Sequence, residues 1–352
     1  MQKLQDILAS IKPPDNTLYN EARNRLDKMA IPRGSLGRLE EFAQRVVAIR
    51  NTLTPEVKKK KVVVFAGDHG VVEEGVSAFP QDVTMQMVYN FIAGGAGINV
   101  LARHVGAEVI VVDMGVAGDL EPREGLLIKK VAKGTKNMAK TPAMTREDAI
   151  SALTIGIEIA RDLHSEEVDI IGTGDMGIGN TTPSAAISSV LTKQDPEKVT
   201  GRGTGIDDER LKHKIAVIKK SINLHCPDPD DPIDVLSKVG GFEIAGIAGL
   251  IIGAAFHRIP VVIDGFISTA AAVVAVSLNP VIREYFFAAH KSVEYGHAML
   301  LEWMEQRPIL DLSMRLGEGT GAALGMSLIE AGVKIMHEVL TFDEAGVRKA
   351  IR

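Results

Sequence analysis

The chain has 352 residues, 45% hydrophobic and 24% charged, with a formal net charge of −5. Such a length accommodates one large or two unequal domains around a sizeable core, and such a balance is that of a soluble globular protein. The negative net charge argues against a nucleic-acid partner, and the single cysteine, Cys226, excludes an intrachain disulfide and a thiolate-based zinc site.

Residues 1–10 alternate polar and apolar types and lack the apolar core of a signal peptide, which predicts a cytoplasmic protein. Asp15 or Asn16 is placed to cap a helix running to about Met29, and Ser35 to cap a second through Arg50. Between them Ile31-Pro32-Arg33-Gly34-Ser35-Leu36-Gly37-Arg38 forms a turn-rich joint. The lysine run Lys58 to Lys61 reads as the solvated entry to a strand over 61–66, whose unbroken apolar character suits burial on both faces. Similar runs at 108–112, 168–171 and 261–264 each precede a helical pattern. Thr145-Arg146-Glu147-Asp148 resembles a capping box with Asp in place of Glu, and Pro183 and Pro232 fall where a first helical residue belongs.

The longest apolar stretch, 244–256, is too short to span a bilayer and predicts a buried helix. Its Gly246, Gly249 and Gly253 weaken an isolated helix, which points to close approach of another backbone. Strands alternating with helices predict an α/β fold, doubly wound around a mostly parallel sheet. Ligands bind beyond the carboxyl ends of such strands, here the loops after residues 66, 113, 171 and 264.

Several constellations bear on chemistry. Gly172-Thr173-Gly174-Asp175-Met176-Gly177 fits G-x-G-x-x-G after a strand, but Ile178-Gly179-Asn180-Thr181-Thr182-Pro183 makes the loop too long for a dinucleotide turn. The acid expected about twenty residues on, Asp195, sits in a polar loop. Glycines with Asn180, Thr181 and Thr182 at a helix start suit a single phosphate instead. Gly201-Arg202-Gly203-Thr204-Gly205 precedes a helix whose exposed face would present Lys214, and Gly317-Glu318-Gly319-Thr320-Gly321 opens a helix from about Ala322 to Val339. On the residues alone, Glu318 reads first as a carboxylate favouring that helix's dipole.

Asp68-His69, with His104 and Asp113, admits a metal-hydrolase reading, but no convergent ligand motif accompanies it. Ordering of a strand-end loop by hydrogen bonds is the simpler role. Val261-Val262-Ile263-Asp264-Gly265-Phe266-Ile267-Ser268-Thr269-Ala270 carries one acid where the diphosphate-sugar motif of ordinary phosphoribosyltransferases carries two, and Ala270 replaces its glycine. A donor with one phosphate fits better.

The segments Gly34-Ser35-Leu36-Gly37-Arg38-Leu39-Glu40, Asp68-His69-Gly70-Val71, Asn180-Thr181-Thr182-Pro183, Ile233-Asp234-Val235-Leu236-Ser237-Lys238-Val239-Gly240-Gly241-Phe242, Asp264-Gly265-Phe266 and Met314-Arg315-Leu316-Gly317-Glu318-Gly319-Thr320-Gly321-Ala322-Ala323-Leu324 occur in one order over nearly the whole chain. Together they resemble the nicotinate-nucleotide–dimethylbenzimidazole phosphoribosyltransferase family. The resemblance implies transfer of the 5-phosphoribosyl group of nicotinate mononucleotide to a benzimidazole-type base, making α-ribazole 5′-phosphate for the cobalamin nucleotide loop, with no metal or other cofactor. It implies a homodimer, and a small helical domain built from both chain ends: residues 1–60 and part of 311–352 flanking a catalytic domain at 61–310. Glu318 becomes the general base, and Asp175 takes the place of a glutamate one methylene longer. Gly177, Asn180, Thr181, Thr182, Gly203, Lys214, Asp264, Ser292, Gly317 and Gly319 become nucleotide and phosphate contacts, and Phe79, Met87 and Met176 the base pocket. A nucleotide-binding regulator without turnover is the alternative from another class; released nicotinate separates the two.

Overall fold

A computed structural model of the chain describes residues 2–203 and 205–348. Six parallel strands form one sheet in the order β3-β2-β1-β4-β5-β6, where β1 is Lys60–Gly67, β2 Ala107–Gly115, β3 Leu126–Ile128, β4 Ile170–Met176, β5 Val261–Ile263 and β6 Phe286–Ala288. Helices flank the sheet, as the alternating pattern requires, and all eight residues of β1 are buried. The strand order reverses between β1 and β4, which opens a crevice at their carboxyl ends.

The helix Phe242–Phe256 is buried from Phe242 to Ala255 and packs against the helix Arg146–Ser165. A Cβ on Gly249 would lie 2.0 Å from the Leu153 carbonyl oxygen, and one on Gly156 2.0 Å from that of Gly246. The glycines therefore serve helix contact, as expected. The helix Arg146–Ser165 opens on the predicted capping box: the Asp148 N–H donates to Thr145 Oγ1 at 3.0 Å and the Thr145 N–H to Asp148 Oδ2 at 3.1 Å.

Other expectations need correction. Gly172 to Met176 belong to β4 and form no loop, so the glycine fingerprint is largely a strand. Lys60 and Lys61 are buried, not solvated; they pair with Glu330 at 2.8 Å and Glu166 at 2.5 Å. Pro232 does open the helix Pro232–Val239, but Pro183 is the third residue of Thr181–Thr192. The early helices are shorter than predicted, Asn16–Leu26 capped by Asp15 and Arg38–Arg50 after Gly37, whose φ of +53° stops the helix from reaching back to Ser35.

The two chain ends meet. Ala22, Leu26, Met29, Ala43 and Val47 share a buried cluster with Met336 of the helix Thr320–Glu338. Gly332 of that helix lies so close to Leu39 that a Cβ would come within 2.3 Å of its carbonyl oxygen. Among the described residues no helix is long and apolar enough to cross a membrane.

Candidate active site

A cavity of about 470 Å³ lies beyond the carboxyl ends of β4, β5 and β6, walled by residues 175–181, 265–267, 290–294 and 315–318 and closed on one side by 76–87. The loop after β2, expected to contribute, does not line it: Asp113 pairs with Lys130 at 3.2 Å.

Glu318 stands in this wall in the left-handed region, at φ +64°, between Gly317 at +82° and Gly319 at +95°. A glutamate held there costs about 1–3 kcal/mol, so its surroundings must impose it. They do so from two sides. Asp264, at the end of β5, accepts hydrogen bonds from the N–H groups of Gly319 (3.1 Å), Gly321 (2.7 Å) and Ala322 (3.0 Å). Across the loop the Glu318 carbonyl rests on Gly174 of β4, where a Cβ would come within 2.4 Å. The Glu318 carboxylate is buried and its Oε2 accepts from the N–H of Ile98, in the first turn of the helix Gly97–Val105, at 3.1 Å. Burial raises its pKa above the ordinary glutamate value, the nearby charge of Asp264 adds to this, and the Ile98 N–H opposes both.

Asp175, one residue before the end of β4, faces the same space. Burial, reinforced by the Asp264 charge, pushes its pKa up to about 8 against the pull of the Asn180 amide, which donates to Oδ2 at 3.0 Å. Oδ1 has no hydrogen-bond partner among the described residues. At neutral pH Asp175 is thus mainly protonated and can donate, whereas a base must accept. Two carboxyl groups in one cavity, pushed to different values by their environments, are suited to different work.

The corner at the start of the helix Thr181–Thr192 is built differently from expectation. Lys214 is not on an exposed face: it is fully buried in the helix Asp208–His225, and its ammonium donates to Thr181 Oγ1 at 2.7 Å and the Gly201 carbonyl at 3.2 Å. Burial lowers its pKa to about 8, with Glu294 opposing. It therefore acts on the cavity from behind Thr181 and Gly203, which do line it together with Asn180, Gly177, Ser292 and Gly317. Thr182, Asp264 and Gly319 lie behind that surface. Phe79, Met87 and Met176 line an apolar side with Val76 and Val83.

Sequence reasoning missed His290, Glu294 and Arg315 as wall residues, although Arg315 stood within a recognised segment. The Asp68-His69 pair does order loops: Asp68 accepts from the Ala117 N–H at 2.7 Å, and His69 Nε2 lies 2.7 Å from Glu243 Oε1. Among the described residues no group of three or more His, Cys, Asp or Glu side chains is arranged to hold a metal ion.

A family model described as phosphoribosyltransferase matches residues 11–347. The chain is 61% identical to the nicotinate-nucleotide–dimethylbenzimidazole phosphoribosyltransferase of Geotalea uraniireducens over 99% of both chains. It is 51% identical to that of Chloroflexus aurantiacus over the full length of both. A crystal structure of the enzyme so named from Thermus thermophilus superposes with a TM-score of 0.90 at 44% identity, covering 96% of this chain and all of that one.

Proposed function

Because the chain belongs to the nicotinate-nucleotide–dimethylbenzimidazole phosphoribosyltransferase family, we propose that its cavity transfers phosphoribose from nicotinate mononucleotide to 5,6-dimethylbenzimidazole or a related base. The products are nicotinate and α-ribazole 5′-phosphate, the nucleotide of the cobalamin lower loop. The observation that carries the mechanism is Glu318, a buried carboxylate of raised pKa, fixed by Ile98 and Asp264 in the cavity wall.

The chemistry follows the charges. The donor's pyridine nitrogen is cationic while bonded to C1′; when that bond breaks it takes the electron pair and leaves neutral, so departure needs no acid. The incoming benzimidazole nitrogen supplies the pair for the new C1′–N bond and becomes cationic, which acidifies the ring's other N–H. Glu318 takes that proton, a step typically worth ~10²–10⁴-fold. Attack on the face opposite nicotinate converts a β-linked donor to an α-linked product. The apolar side with Phe79, Met87 and Met176 receives the base. The start of the helix Thr181–Thr192, with Lys214 behind it, holds the phosphate.

We assign the working form as a cytoplasmic homodimer. Phe79 and Leu316, both in the cavity wall, are 52% and 60% exposed, apolar surface that a second copy would cover. The direct test is turnover: the purified protein with nicotinate mononucleotide and dimethylbenzimidazole, in EDTA, should release nicotinate. A requirement for magnesium, or a preference for phosphoribosyl diphosphate, would refute the single-phosphate donor, and binding without turnover would make the protein a nucleotide-binding regulator.

Lys214→Ala should weaken donor binding about ten- to a hundredfold, the value of roughly 1.5–3 kcal/mol for a hydrogen bond to a charged group. Base binding should stay within a factor of two or three. Titration calorimetry with each substrate separates them, and an unchanged donor Kd removes Lys214 from the phosphate site.

A further inference from the structure

We propose that His290 and the opening turn of the helix Phe266–Leu278 form a second anion subsite, which takes the ring carboxylate of the nicotinate group and so selects an acid over an amide donor. The inference rests on the donor assigned above and adds the determinant of its specificity.

Nicotinate mononucleotide carries two anions, the phosphate and the ring carboxylate. The Thr181 corner accounts for the first. Much of the remaining wall carries acidic side chains, Asp175, Glu294 and Glu318, and offers the second no cation. Arg315 is bound toward the phosphate side, its guanidinium donating to the Gly203 carbonyl at 3.2 Å.

One other region offers donors. Gly265, Phe266 and Ile267 line the cavity at the start of a helix of 13 residues. The first bond that closes this helix runs from the Thr269 N–H to the Gly265 carbonyl at 2.9 Å, and no side chain caps its N-terminus. The preceding N–H groups thus stand outside the helix's own bonding, at the positive end of its dipole.

His290 is the independent observation at the same place. It is only 1% exposed, lines the cavity, and neither ring nitrogen has a hydrogen-bond partner among the described residues. Its Nε2 lies 3.4 Å from where a Cβ on Gly265 would stand, so the imidazole and the helix start face one point. An imidazole keeps at least one N–H in either protonation state, and a buried donor left unpaired is costly. A ligand acceptor satisfies it.

The neighbours leave that donor free and hold it still. Asp264 Oδ1 is 3.8 Å from Nε2, beyond hydrogen-bond reach, and both Asp264 oxygens are taken by backbone N–H groups of Gly319, Gly321 and Ala322. His297, whose ring centre lies 6.1 Å away, accepts the Ser292 N–H at Nδ1 (2.9 Å), leaving Nε2–H for Thr269 Oγ1 (2.8 Å). Burial pushes its pKa down to about 3, so it stays neutral and ties the segment carrying His290 to the helix.

The test is the Kd of nicotinate mononucleotide and of nicotinamide mononucleotide, measured without base on the unmodified protein, His290→Ala and His290→Asn. The unmodified protein should favour the acid at least tenfold. His290→Ala should lose about ten- to a hundredfold for the acid, the range for a hydrogen bond to a charged group, and stay within threefold for the amide. His290→Asn, which retains a donor, should recover part of the loss. Equal affinity of the unmodified protein for acid and amide, or a parallel loss for both in the variants, overturns the subsite; the parallel loss would place His290 on the ribose. The comparison on unmodified protein decides the matter even if His290→Ala fails to fold. If adding base releases no nicotinate, the proposed reaction fails while the affinity comparison still stands or falls on its own.

Discussion

Glu318→Gln should lower kcat by ~10²–10⁴-fold while donor and base bind within a few-fold of normal. The amide keeps an oxygen able to accept the Ile98 N–H, so the side chain has no reason to move, and the flanking glycines already allow its backbone conformation. What it cannot do is take a proton. Folding gives a second check with a definite sign. Glu318 has its folded pKa raised, so its ionisation detracts from stability as pH rises from the unfolded value through the folded one. Removing it should leave Tm unchanged at low pH and equal or higher at pH 8. The pH profile gives a third. In the unmodified enzyme kcat should fall as pH drops through a pKa above the ordinary glutamate range, and that limb should vanish in the variant. A Gln variant with near-normal kcat would show that Glu318 only anchors the base, and would leave the proton to Asp175, which can accept it only as pH rises toward its own pKa of about 8.

How much of this was legible depended on whether the cause of each residue was local. β1 is legible because Val62 to Ala66 are apolar without a break, which a strand buried on both faces requires. The glycines of Phe242–Phe256 are legible as helix contacts because a helix interior tolerates them for little else. β4 was cut short because Gly172 and Gly174 look like a loop. Their true cause is tertiary: Met326 packs on the first and the Glu318 carbonyl on the second, both from a distant part of the chain. Lys214 followed the same logic, since its burial arises from the Gly201 segment folding over Thr181 and leaves no mark on its own helix. His290 has no local pattern at all; only the parallel placement of β5 beside β6 brings it to Gly265. Glu318 is singled out as a candidate base by a family motif rather than by physics, because a carboxylate near a helix start has a simpler use.

Asp264 carries the sharpest disagreement between motif and structure, and replacing it should have the second-largest effect. Read as a nucleotide contact, Asp264→Asn would chiefly weaken donor binding. The geometry makes it a positioning residue instead, with both oxygens occupied by the loop that presents Glu318. An asparagine oxygen can still serve Gly321 and Ala322, but its amide would then face the Gly319 N–H, donor against donor. One orphaned buried N–H costs about 1–3 kcal/mol, which should appear as a lower Tm. With Gly319 released, the left-handed turn at Glu318 loses its restraint, and kcat should fall at least tenfold, an effect of about 1.4 kcal/mol on the barrier. A purely structural role predicts nothing for the pH profile, whereas this one does. Both causes that raise the Glu318 pKa weaken together, since the Asp264 charge is gone and a loosened loop admits water. The acid limb of kcat should therefore move to lower pH in Asp264→Asn, even as the plateau drops. An unshifted limb with a raised donor KM and normal kcat would return Asp264 to the nucleotide site.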